Sequence, residues 1–95
     1  AMRAPGKRPY FLGAMFYFEN GLDLTTAARW MAAALDESPG HVGMRHRQAL
    51  ILEKLGDRDG ARAAAQRSLD DATKAAAPLR DEYLRLNRVV LERLK

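Results

Sequence analysis

The side chains able to do chemistry are few, and their spacing limits what they can do together. His41 and His46 are the only histidines. Five helical steps separate them, so they point about 140° apart and cannot hold one metal from one helix face. Both are expected as exposed residues of a helix. The run Asp57–Gly60, "DRDG", has the opening of a calcium loop but lacks the later ligands and the distal Glu. Asp57 is instead expected to cap a helix. Ser38, Ser68, Thr25, Thr26 and Thr73 have no base at a suggestive spacing, and no Gly-rich phosphate loop follows a strand. Asp70-Asp71 and Asp81-Glu82 have the outline of paired carboxylates, but acidic groups near helix termini are common. There is no Cys, which excludes thiolate metal sites and disulfides. No catalytic residue, metal or cofactor is expected.

The elements that position these residues read as helices throughout. Apolar residues recur at spacings of three and four, and no stretch alternates with period two, so no strand is expected. The first helix (α1) should start near Arg8, with Pro9 in its first turn, and stop at Asn20-Gly21. Asp23 should cap α2, over Leu24 to Glu37, which Ser38-Pro39-Gly40 ends. The third helix (α3) is expected over His41 to Leu55. Gly56 then supplies a left-handed closing residue, and Asp57 caps α4, expected over Arg58 to Ala76. Gly60 weakens the first turn of α4. Ala77-Pro78 breaks the chain before α5, Leu79 to Leu94, whose Leu79, Tyr83, Leu86, Val90 and Leu94 form one apolar stripe.

Two of these helices resemble each other. "AARWMAAALDES" from Ala27 and "ARAAAQRSLDDA" from Ala61 are offset by 34 residues and match Ala27 with Ala61, Ala34 with Ser68, Leu35 with Leu69 and Asp36 with Asp70. A helix–turn–helix unit with that period resembles the tetratricopeptide repeat. In the first unit Phe11, Phe18, Ala27, Ala34 and Pro39 fall on that family's aromatic, aromatic, Ala, Ala and Pro positions, while Met15 and Met31 depart from it. In the second unit Ala49, Gly56, Asp57 and Ala61 match, Ser68 replaces an Ala, and Arg45 and Thr73 replace the aromatic and the Pro. The resemblance covers residues 8 to about 73. It implies an all-α, right-handed helical-repeat array of two helix-turn-helix pairs (about 8–41 and 42–76) with a C-terminal covering helix (79–94). A loose basic arm (1–7) precedes this single domain of 8–95. The segment from Ala49 to Leu69, with the later "DEYLRLN", is also similar to the helical tail of an uncharacterised bacterial family. On that reading the chain would be a regulatory tail of a larger protein.

The composition fits one small domain. With 47% hydrophobic and 29% charged residues in 95, the chain is too apolar for disorder and long enough for a thin core. Its formal charge of +4 permits anionic partners. Acidic residues interrupt the arginines almost everywhere after Glu19, so a mixed solvated surface is expected rather than a nucleic-acid stripe. The apolar run Tyr10 to Phe18 follows a basic start, as in a secretion signal, but no small-residue cleavage site follows it, and it is far short of the ~20 residues a membrane span needs. Neither a membrane nor an export route is expected, which leaves the cytoplasm preferred. Ala1 before Met2 reads as a cloning remnant, so the native chain is expected to begin at Met2 or to continue upstream.

The function class follows from helix α1. Phe11, Met15 and Phe18 make one stripe, yet Tyr10, Leu12, Ala14, Phe16 and Tyr17 cover most of the remaining circumference. A helix apolar all round is normally covered on more than one side. Self-association as a homodimer through Tyr10, Phe16 and Tyr17, or docking to an absent domain, is therefore expected. Trp30 is read as a core residue or an interface anchor. The repeat resemblance further implies a short peptide-binding groove lined by Leu12, Phe16, Glu19, His46, Leu50 and Glu53. The resulting reading is a non-catalytic protein–protein interaction module with a protein or peptide partner. Its alternative is a nucleic-acid or anion-binding helical module using Arg45, Arg47 and the basic arm.

Overall fold

The computed structural model describes residues 10–95. The expected basic arm and the start of α1 at Arg8-Pro9 lie outside the described residues. The five helices are α1 Tyr10–Glu19, α2 Leu24–Glu37, α3 Val42–Leu55, α4 Arg58–Ala72 and α5 Leu79–Arg93. No strand occurs among the described residues.

Local chemistry sets the boundaries. Gly21 closes α1 at φ 65°, with Leu22 N–H donating to Tyr17 O at 2.9 Å. The Asp23 carboxylate accepts from the N–H groups of Thr25 and Thr26 and from the Thr26 hydroxyl, which holds its pKa below the ordinary value. His41 is the cap of α3 rather than its first residue, its Nδ1 accepting from Met44 N–H at 3.1 Å. Gly56 closes α3 at φ 92°, and Asp57 opens α4 by accepting from Gly60 N–H at 2.9 Å.

The largest boundary difference is at α4, which stops at Ala72, four residues before Ala76. The Thr73 hydroxyl donates to Asp70 O at 2.6 Å. Lys74 and Ala75 then make tighter turn bonds to Asp71 O and Ala72 O. Side-chain competition for the last carbonyls ends the helix, where alanine propensity alone would continue it.

Consecutive helices pack antiparallel. Ser68, near the end of α4, reaches Val42 at the start of α3. Arg62, near the start of α4, reaches Leu94 O at the end of α5. α3 and α5 lie side by side in parallel, joined by His46–Asn87 and Glu53–Arg93. Phe11 and Phe18 of α1 touch α3 through Arg47 and Lys54. The shortest dimension, 19 Å, is two helix layers.

The core has two parts that share α3. Ala14, Ala27, Met31, Leu35 and Ile51 join α1, α2 and α3. Ala49, Ala61, Ala64, Ala65, Val90 and Leu94 join α3, α4 and α5. Six of these eleven are alanines, so helix axes approach closely and side-chain volume contributes little.

Candidate functional site

Ser68 and Asn87 are fully buried and His46 is nearly so. They form one polar chain through α3, α4 and α5. Ser68 Oγ lies 3.0 Å from Val42 O and must donate its proton there. It therefore accepts from Asn87 Nδ2 at 2.8 Å, and Nδ2 donates its other proton to Tyr83 O at 2.9 Å. The Asn87 oxygen is left facing His46 Nδ1 at 2.7 Å, so Nδ1 carries a proton. His46 is thus an Nδ1–H tautomer, whereas His41 uses Nδ1 as an acceptor. Burial pushes the His46 pKa down. Its bond to Asn87 opposes that, and the Arg47 and Arg93 charges add to it. The edge of Tyr83 closes over the imidazole, with ring centres 5.7 Å apart.

This corrects the expectation that both histidines are exposed. His41 is exposed; His46 is not, because α5 lies over it. Sequence reasoning missed Asn87 and Ser68 as a structural pair. The available signal was an Asn one turn after Tyr83 on the apolar side of α5, facing the Ser that follows the alanine run of α4.

The residues implied as groove lining divide into two sets. Leu12, Phe16 and Glu19 share one exposed stripe of α1, with Leu12 70% and Phe16 58% exposed. His46, Leu50 and Glu53 are taken up elsewhere. His46 is bonded to Asn87, and Leu50 packs on the α3–α4–α5 core. The Glu53 carboxylate accepts a two-pronged bond from Arg93, at 2.7 and 2.9 Å. That fork holds Glu53 below the ordinary carboxylate pKa and Arg93 above the ordinary guanidinium value.

Of the residues expected to self-associate, Phe16 is the most open, while Tyr10 and Tyr17 are half-buried. Tyr17 meets Trp30 edge-on at 4.9 Å, and Phe16 extends that row at 6.3 Å from Tyr17. Trp30 lies across Gly13, where a Cβ would come within 2.9 Å of the indole. An aromatic row therefore crosses from α2 to the exposed edge of α1, and Leu12 continues the apolar surface.

Comparisons with family models, with curated proteins and with solved structures gave no match.

Two clefts open on the surface of the described residues. One of about 390 Å³ lies where α3 begins and α4 ends, between Val42, Gly43, Lys74, Leu79 and Tyr83. The other, about 280 Å³, lies between α3 and α4. Among the described residues no cluster of His, Asp and Glu has the arrangement to hold a metal, and no helix is long and apolar enough to cross a membrane.

Proposed function

We propose that the chain is a non-catalytic protein–protein interaction and assembly module that self-associates through the exposed face of α1. The observation that carries this reading is the pair Leu12 and Phe16, two large apolar side chains 70% and 58% exposed beside the Phe16–Tyr17–Trp30 row. Contiguous apolar surface backed by rigid aromatics is the usual chemistry of an interface centre. A partner helix or peptide would lie along Leu12, Phe16 and Glu19, because α5 occupies the corresponding side chains of α3.

A tetratricopeptide-like scaffold is the architecture proposed for this module. Three residue pairs 34 positions apart support it by being buried alike: Ala27 and Ala61, Met31 and Ala65, Ala34 and Ser68. The parallel neighbours α1, α3 and α5 are also what stacked pairs with a covering helix require.

Light scattering coupled to size exclusion tests the function. The expected result is a concentration-dependent dimer that Phe16→Asp converts to a folded monomer. A monomer at all concentrations, unchanged by the substitution, overturns self-association and leaves a different protein as the partner.

A further inference from the structure

The cleft between α3 and α4 has an unusual lining. Its polar groups are Arg45, Gln48 and Arg67, over a floor that includes Leu52, Gly60 and Ala64. No carboxylate lines it. The small floor residues leave the space to the two guanidinium groups and the carboxamide. The cleft does not touch the exposed stripe of α1.

Arg45 is poorly satisfied there. Its Nη1 donates to Gln48 Oε1 at 3.4 Å and its Nη2 to Pro39 O at 3.2 Å, both at or beyond the long end of hydrogen bonding. Its Nε is buried with no acceptor at all. Buried guanidinium N–H groups normally have partners, so the unpaired Nε leaves Arg45 one acceptor short. Arg67 donates through Nε to Asp71 at 3.2 Å, and its Nη groups have no hydrogen-bond partner among the described residues. Since Gln48 accepts through its oxygen, its NH₂ group remains a donor.

Electrostatics agrees with the geometry. Desolvation disfavours the Arg45 charge first, and the Arg67 charge disfavours it next. Asp71 on α4 and Asp36 on α2 offset this only from outside the cleft. Two like charges share one concavity, and no carboxylate in its lining neutralises them.

We infer that this cleft is an oxyanion site that takes a phosphate group, held by the guanidinium groups of Arg45 and Arg67 and the carboxamide of Gln48. Phosphate suits it better than a carboxylate. A planar carboxylate matches a single guanidinium fork, whereas a tetrahedral phosphate offers separate oxygens to donors on two helices. The inference does not rest on the proposed assembly role.

Amide NMR of the full chain, titrated with inorganic phosphate and separately with O-phosphoserine at constant ionic strength, tests this. Saturable shifts are expected at the Gln48 side-chain amide and at Gly60, Ala63 and Ala64, with half-saturation below about 10 mM. The tighter of the two ligands tells a free ion from a monoester. Arg45→Lys and Arg67→Lys keep the charge but remove the fork, and each should weaken binding at least tenfold, or about 1.4 kcal/mol. Arg88→Lys, on the exposed side of α5, should bind as the parent does. The site is overturned if shifts never saturate, if equal ionic strength of sodium chloride reproduces them, or if the lysine variants bind as tightly as the parent. Thermal melts of each variant separate lost binding from lost folding.

Discussion

Asn87 is the residue on which the most depends, because its amide serves partners on α3 and α4 and in its own helix. Asn87→Ala strands the His46 Nδ1–H in a buried site and opens a small void. A loss of about 2–4 kcal/mol is expected, read from the urea midpoint. Ser68→Ala should cost less, about 1–2 kcal/mol, because it strands one buried Nδ2 proton of Asn87 while Nδ2 keeps Tyr83 O and Val42 O keeps its bond within α3. Equal losses from the two variants would contradict the chain of bonds. His46 makes stability depend on pH in a definite direction. Its pKa is depressed in the folded state below the ordinary 6.5, so its unfolded form binds protons more readily. Its contribution is complete above pH 6.5 and is lost as the pH falls through the depressed folded value. The slope is at most about 1.4 kcal/mol per pH unit. Urea midpoints between pH 7.5 and 5.5 should fall in the parent and flatten in His46→Gln. None of this was legible from spacing. A histidine on a helix gives no sign of being covered until the covering helix is placed, and an Asn one turn after Tyr83 points to a partner only once the facing Ser68 is in view.

At the scale of elements, the sequence was most readable where one local rule operates without competition. Asp23 and Glu37 bound α2 as expected, and Gly56-Asp57 joins α3 to α4 with a left-handed residue and a cap. The end of α4 was misread because two local rules conflict there: alanines favour continuation, while the Thr73 hydroxyl takes the Asp70 carbonyl. Gly60 shows how such conflicts give opposite expectations. On helix propensity, Gly60→Ala should stabilise α4 by about 1 kcal/mol. A Cβ at that position, however, collides with the Asp57 carboxylate that caps the helix. Displacing the cap costs about 1 kcal/mol, so the substitution should change the thermal midpoint little or lower it. A clear rise would show that the cap tolerates displacement. Gly13 is constrained more firmly. Its neighbour is the flat of an indole rather than a flexible carboxylate, so Gly13→Ala must push Trp30 and α2 away from α1. An overpacking loss of about 1–3 kcal/mol and a shifted Trp30 fluorescence maximum are expected. What requires a glycine at position 13 is a residue 17 positions away.

For the whole molecule, the division of the core around α3 predicts how the fold comes apart. Ile51 points to the α1–α2 side, and Ala49 to the α4–α5 side. The α4–α5 side is additionally tied by the Asn87 chain, by the Glu53–Arg93 fork and by Arg62 on the last carbonyls of α5. The α1–α2 side has no comparable buried polar tie among the described residues. An all-helical fold with mostly neighbouring contacts need not unfold as one block, because each pair is stabilised largely by its own interface. Hydrogen exchange should therefore find the α1 and α2 amides less protected than those of α3 to α5. Ile51→Ala, which removes the main α3 side chain from the first core, should cost about 2–4 kcal/mol in protection of α1 and α2 and spare α4 and α5. Val90→Ala should do the reverse. If both substitutions lower protection evenly along the chain, α3 couples the two halves into one cooperative unit. The exposed Leu12–Phe16 face would then sit on a rigid body rather than on a helix pair that can open to receive a partner.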